Sequence, residues 1–411
     1  MYIKRDLEGE ISKYFSSKEI IAVVGARQCG KTTMIDAILS DIEKKGKRIS
    51  RVSFDSIKEL QMFEDDTDSF VKIYVDGYDI LFIDEVQYSK ESGKKLKYIY
   101  DKFKIKIIIS GSSVAELSIQ SLKYLVGRVF VFILYPFSFR EFIRAKEPRL
   151  MGLYEQGNYK DTVLSEMNNH LKEFLLYGGY PGVVLADSLS EKQTILKNIY
   201  NTYLLKEIRE ILDLSNDYRL VSLVKSLSLQ IGGILNYNEL SSQTGFSYRE
   251  LKNHLNILEK TFICRLLLPF QTNKRTELVK SPKIYFYDLG FRNISLDNFS
   301  SERADIGSMH ENFIFLELVK NNFSPKYWRT KSGAEVDFVI EDGTIPIEIK
   351  SNLSGNKLTR SFYSFIEKYE PKRGYVSSLN FEDKKKIGKC EVIFAPFLKL
   401  IGELHQFNTK I

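Results

Sequence analysis

Cysteine is scarce in this chain: Cys29, Cys264 and Cys390 are its three examples, far apart and without metal-ligand spacing. That scarcity excludes a disulfide framework and a cysteine-rich structural zinc site. Proline is sparse as well, at 9 residues, and beside 43% hydrophobic and 13% aromatic content this excludes a disordered chain. No uninterrupted apolar run reaches the roughly 18 residues that a membrane span needs. The opening segment MYIKRDLEGEISKYF is charged and amphipathic, unlike a signal peptide. These absences lead to the expectation of a cytoplasmic protein with no membrane partner. A large excess of one charge is missing too. Lys plus Arg number 60 against 53 Asp plus Glu, a net +7 with a pI near 8.9, which favours a polyanionic partner without requiring one.

A core of about 100–200 residues is the usual domain size, so 411 residues imply two to four domains. Residues 1–150 alternate the short apolar runs IIAVV, RISRVSF, ILFID, KIIIS and VFVFIL with helix-like segments. This alternation predicts a mostly parallel sheet covered on both faces. Residues 151–216 turn helical in period, punctuated by GGYPG, and read as a lid or connector. Residues 217–280 hold three helical patterns with a turn at Gly245, in the manner of a winged helix-turn-helix. Residues 281–411 read as a separate α/β domain.

A phosphate-binding loop stands in the first region. Gly25, Ala26, Arg27, Gln28, Cys29, Gly30, Lys31 and Thr32 spell GxxxxGKT, with Thr33 next, an apolar strand before and a helical pattern after. The glycines let backbone N–H groups wrap a β-phosphate at a helix N-terminus, where the helix dipole also favours negative charge. Lys31 is expected to reach the β- and γ-phosphates of ATP, and Thr32 to ligate Mg²⁺. Downstream, ILFI ends in Asp84, a second magnesium contact, and Glu85, the group that orients or deprotonates the attacking water. KIIIS leads to Ser112, either a γ-phosphate sensor or a turn hydroxyl. Arg128 is either a positive charge for a γ-phosphate, on a neighbouring subunit, or an ordinary surface arginine.

Two further segments carry chemistry. The pattern from Ser247 to Lys260 would present Tyr248, Arg249, Lys252, Asn253 and His254 to a DNA major groove, with Leu251, Leu255 and Leu258 facing the core. Near the carboxyl terminus, Asp342-Gly343 predicts a two-residue hairpin turn. That register pairs Glu341 with Thr344 and sets Asp337 opposite Glu348 and Glu335 opposite Lys350. Strict alternation then puts these four on one face and Val336, Phe338, Ile340, Ile345, Ile347 and Ile349 on the other. Opposed like charges destabilise a strand pair, so a cation or proton is expected between Asp337 and Glu348. The competing reading is a solvated charged face with Glu335 and Lys350 as an ion pair.

Taken in order, GARQCGKTT, LFIDEVQ, ISGSS, LVGR with LYPFSFREF, YGGYP, SPKIYFYDLG and HENFIFLEL resemble the prokaryotic AAA+ ATPases that carry a winged helix and a carboxyl-terminal PD-(D/E)XK nuclease-like domain. The resemblance covers nearly the whole chain. Its one visible departure is Val126, where a small residue commonly precedes the Gly-Arg pair. It implies an α/β P-loop sheet with a helical lid, a winged helix and a restriction-endonuclease-like α/β domain. It also implies ATP binding and a DNA connection, and leaves open a homo-oligomer. In the nuclease-like pattern Asp337 and Glu348, with Glu311 on the preceding helix, would hold Mg²⁺ or Mn²⁺, and Lys350 would position the attacking water. Such a fold also persists without cleavage, as a binding or assembly surface.

Overall fold

The computed structural model describes residues 2–112, 124–157, 160–215, 217–271, 277, 280–341 and 343–408. The chain divides into two compact units, residues 1–137 with 260–262, and residues 138–259 with 263–411. Among the described residues no helix is long and apolar enough to cross a membrane.

The first unit is built on five strands, β1 (Ile20–Gly25), β2 (Ile49–Ser53), β3 (Ile80–Asp84), β4 (Lys106–Gly111) and β5 (Val129–Leu134). They coincide with the five apolar runs. Every pairing is parallel, in the order β2-β3-β4-β1-β5. The central strands β1, β3 and β4 are buried along nearly their whole length, which is why they read as continuous apolar runs with no alternation. Helix α1 (Lys31–Glu43) follows β1 directly and buries Met34, Ile35 and Leu39.

The second unit begins earlier than the expected boundary at residue 150. Phe139 and Phe142 pack with Phe174 at ring-centroid distances of 5.6 and 5.3 Å, and Phe139 with Phe313 at 5.7 Å. The Phe139 N–H donates to buried Glu317 Oε1 at 3.0 Å. These aromatic contacts place Phe139 and Phe142 of the SFREF segment in the core of the second unit. The long helical stretch is α-helical over Leu189–Ile199 and then winds into wider π-type turns over Tyr200–Ile208.

Three helices follow, α2 (Tyr218–Leu229), α3 (Tyr237–Thr244) and α4 (Tyr248–Lys260). Gly245, at φ +70°, supplies the left-handed turn between α3 and α4. A two-stranded antiparallel sheet of β6 (Cys264–Leu267) and β7 (Lys283–Phe286) comes next. This pairing straddles the expected boundary at residues 280–281, so the three-helix segment and the remainder of the chain are not separate bodies.

The rest of the unit contains helix α5 (Ile306–Lys320), six strands and helix α6 (Arg360–Tyr369). The strands are β8 (Lys326–Arg329), β9 (Glu335–Ile340), β10 (Ile345–Ile349), β11 (Arg373–Ser378), β12 (Asp383–Ile387) and β13 (Cys390–Pro396). Their order is β12-β13-β11-β10-β9-β8, with β10, β11 and β13 parallel and the outer pairings antiparallel. Trp328, Val336, Val339, Phe362, Phe365 and Phe394 form a core of this region.

Candidate functional site

The phosphate loop occupies the turn from β1 into α1. Its backbone enters the left-handed region at Gln28 (φ +57°) and Gly30 (φ +90°), a path that favours glycine at the second position. Gly25 is required for a different reason. A Cβ there would lie 2.0 Å from the carbonyl oxygen of Leu134, the residue it pairs with on β5. A Gly25→Ala chain is therefore expected to lose about 1–3 kcal/mol of first-unit stability, read as a lower urea midpoint. An unchanged midpoint would show that β5 yields freely.

Lys31 is buried, and its Nζ donates to the carbonyl oxygens of Gly25 and Ala26, each at 3.1 Å. Thr32 Oγ1 donates to Asp84 Oδ2 at 2.8 Å, so the two expected magnesium contacts meet although β4 lies between β1 and β3. Ser110 Oγ donates to the other oxygen, Asp84 Oδ1, and accepts the Glu85 N–H at 3.3 Å. Glu85 has φ +53°, a left-handed conformation that costs a non-glycine residue on the order of 1–3 kcal/mol. The Gln87 amide donates to Glu85 Oε2 and, at 3.0 Å, to Ser112 Oγ. Ser112 is thus tied to Glu85 through Gln87. Arg27 donates to Tyr88 Oη at 3.2 Å, and Thr33 is exposed in the first turn of α1. Cys29 contributes backbone and not side chain to the loop: its thiol is buried against Leu134 O at 3.4 Å, and burial pushes its pKa up.

Arg128 stands away from the phosphate loop of its own chain. It directly precedes β5, and its carbonyl accepts the N–H of Ile20, the first residue of β1, at 2.7 Å. The phosphate loop leaves the opposite end of β1. Five residue steps along a strand span roughly 16 Å, so Arg128 is no part of the nucleotide site of its own chain. Its Nε donates instead to Asp101 Oδ1 at 3.1 Å. Ser110 was expected at the carboxyl edge of the sheet without a role of its own, and Arg5 and Gln87 were missed by the motif reading. Arg5 is buried, and its guanidinium donates to Cys29 O at 2.7 Å and to Tyr135 O at 2.6 Å, bracing the loop from behind. A lone arginine in a charged amino-terminal segment has no spacing signature that would reveal this.

On α4, Tyr248, Arg249, Lys252 and Asn253 are exposed together, while Leu251, Leu255 and Leu258 are buried. His254 departs from the expected groove-facing set. It is 6% exposed, its ring lies 4.4 Å from that of Phe246, and neither ring nitrogen has a partner. Burial pulls its pKa down.

The carboxyl-terminal acids gather as expected but not on the expected geometry. The β9–β10 ladder runs from Ile340↔Ile345 to Phe338↔Ile347, the predicted register, and turns through residues 341–344, Asp342 lying outside the described residues. The Thr344 N–H is shared between Ile340 O and Glu341 O, each at 3.1 Å, so the expected contact of Thr344 with Glu341 is made. At Asp337 the ladder stops. The Asp337 carboxylate, not the backbone, takes the Ile349 N–H at 2.7 Å, and the β8 pairing shifts by one residue there. Strict alternation fails in consequence: Val336 shares a core with Val339, while Phe338 packs against Tyr285 at 5.7 Å.

The cluster also contains a residue that no motif reading singled out. Lys283, 2% exposed on β7, places Nζ 2.7 Å from Glu335 Oε1, 3.0 Å from Glu311 Oε1 and 3.9 Å from Asp337 Oδ1. Tyr285 Oη donates to the same Glu311 oxygen. Glu348 accepts from Lys350 Nζ at 2.8 Å and from Thr359 Oγ1 at 2.9 Å. The Glu335–Lys350 pair is absent among these contacts, and Glu348 is only 4% exposed, whereas the Lys350 side chain keeps 41% of its surface exposed. Burial, then the neighbouring Asp337, push the Glu311 carboxyl up to about 7. Burial alone would pull the Lys283 ammonium down, but Glu311, Asp337 and Glu335 outweigh it and hold it protonated. Among the described residues, the trio whose ligand atoms all lie within 4.8 Å of one another is Glu147, Glu166 and His170, not the expected Glu311, Asp337 and Glu348.

The all-parallel sheet with a glycine loop at the β1–α1 turn, and a hydroxyl–carboxylate pair beside it, defines a P-loop α/β fold. Residues 17–143 match the family described as AAA domain. Residues 168–302 and 306–398 match two domains of unknown function. The chain is similar to an uncharacterized protein of Haemophilus influenzae, 26% identical over 344 residues, or 79% of this chain and 80% of that one. It is also similar to an uncharacterized protein of Methanocaldococcus jannaschii, 25% identical over 401 residues, covering 90% and 83% of the two chains. Among solved structures, a Walker-type ATPase of Pyrococcus abyssi aligns at 16% identity and TM-score 0.46, over 72% of this chain and 96% of that one.

Proposed function

We propose that this chain binds and hydrolyses ATP with Mg²⁺ and that its nucleotide state governs contact with DNA. The observation that carries the reading is the connected set at the carboxyl edge of the sheet: Thr32 on Asp84, Ser110 on Asp84 and Glu85, and Gln87 between Glu85 and Ser112. The donor set suits a metal-bound triphosphate, because it offers an ammonium, a hydroxyl and two carboxylates around one helix N-terminus. Thr32 and Asp84 would hold the magnesium, whose charge offsets that of the phosphates. Lys31 binds the phosphates. Glu85 takes a proton from water, and Gln87 keeps its carboxylate oriented.

The DNA part rests on the three helices and two-stranded sheet, an order that supports a winged helix, and on the exposed row of Tyr248, Arg249, Lys252 and Asn253. Each phosphate contact contributes about 0.9 to the slope of log affinity against log salt. An Arg249→Ala, Lys252→Ala chain is therefore expected to bind duplex DNA with a slope smaller by about 1.8. Equal slopes and affinities in a fluorescence titration would remove α4 from the interface.

For the carboxyl-terminal region two readings follow from the resemblance to nuclease-like domains: metal-dependent cleavage, or a switch or scaffold without it. The seat of Lys283 inside the acid cluster favours the second. Incubating the chain with ATP, Mn²⁺ and several DNA forms separates them, since the first requires broken strands and the second retains intact DNA.

A further inference from the structure

A buried ammonium must satisfy three N–H donors and repay its desolvation, so it persists only among acceptors of opposite charge. Lys283 meets that demand with Glu335 at 2.7 Å, Glu311 at 3.0 Å and Asp337 at 3.9 Å. The acids are in turn consumed by other donors. Glu311 Oε1 also accepts from Tyr285, Asp337 Oδ2 from the Ile349 N–H, and both oxygens of Glu348 are taken by Lys350 and Thr359. Mg²⁺ or Mn²⁺ asks for several oxygens converging at close to 2.1 Å in octahedral geometry. The carboxylates here converge on nitrogen instead.

We propose that Lys283 is the resident counter-cation of this cluster and holds the place that a divalent ion would take. In this arrangement the cluster takes no divalent cation, and withdrawal of the ammonium opens a site for one. The side chain is delivered by β7, which pairs with β6. The Gly232 N–H donates to the β7 carbonyl of Ile284 at 2.8 Å, and a Cβ on Gly232 would lie 3.3 Å from Glu311 Oε2. The two-stranded sheet therefore holds the ammonium against the acids. This inference rests on the second of the two readings above and is independent of the nucleotide site.

The test uses full-length native, Lys283→Met, Lys350→Met and Glu311→Gln chains, without nucleotide, in thermal unfolding with EDTA or with 1 mM Mn²⁺. Bound Mn²⁺ is counted in parallel from the loss of its free electron-paramagnetic signal. The native chain is expected to bind no Mn²⁺ at the cluster and to shift its midpoint by less than about 1 °C. Lys283→Met is expected to melt lower in EDTA, to bind one Mn²⁺, and to regain at least about 3 °C with it. Lys350→Met should show no such gain. A native chain that binds Mn²⁺ and rises by several degrees, both effects being lost in Glu311→Gln, overturns the proposal, whatever the fate of Lys283→Met. So does a folded Lys283→Met chain that takes up no metal. DNA breakage by the native chain is a different outcome: it would remove the non-cleaving reading, while the Mn²⁺ count still decides the place of Lys283.

Discussion

A Lys31→Ala chain is expected to lose ATP affinity by at least about 100-fold. The ammonium sits inside the loop, within 3.1 Å of two of its carbonyl oxygens, at a point where few other cations reach. A hydrogen bond to a charged group contributes about 1.5–3 kcal/mol, and Lys31 is placed to make two, one to each terminal phosphate. At 1.4 kcal/mol per tenfold, their loss amounts to roughly 10²- to 10⁴-fold. The fold itself should tolerate the change. Lys31 is the first residue of α1, and alanine is the best helix former. Calorimetric titration of both chains with ATP and Mg²⁺ reads the effect directly. Equal dissociation constants would mean that the loop does not bind the triphosphate through this side chain.

Glu85→Gln is expected to do the opposite: to keep ATP while slowing its hydrolysis by about 10²- to 10⁴-fold, the usual contribution of a positioned general base. The amide preserves a carbonyl oxygen for the Gln87 donor, and the left-handed backbone at Glu85 stays braced by Ser110. What disappears is the ability to accept a proton from water. Steady-state phosphate release beside a nucleotide-binding titration separates the two effects. Unchanged turnover would reduce Glu85 to a turn residue at the end of β3. A joint loss of binding and turnover would show that the substitution had disturbed Asp84 and its contact with Thr32.

The phosphate loop and the acidic strand end were largely legible because each is local in sequence. The loop, its helix and the acidic strand end are each contiguous segments, and glycine spacing dictates where backbone N–H groups point. Polar supports such as Ser110 and Gln87 were harder to see, since an isolated hydroxyl or amide has no periodic pattern. The acid cluster was legible in membership and misread in arrangement. Glu311, Asp337 and Glu348 do gather, yet one irregularity at Asp337 broke the alternation on which their facing depended. A period of two holds only while the ladder is regular.

Hydrophobic periodicity and turn chemistry in the sequence by themselves determined the five parallel strands, the loop at residues 25–32, the three helices before β6 and the register of β9 on β10. Each depends on residues a few positions apart, whose side chains meet or diverge by backbone geometry alone. Only the tertiary structure decided that Arg128 stands at the wrong end of the sheet for its own nucleotide, that His254 is core and that Arg5 braces the loop. It alone decided that Lys283 enters the acids, a contact made across 28 residues to Glu311. Such placements depend on which elements are brought side by side. That choice is made by the burial of whole faces, a sum over many residues that no single spacing records.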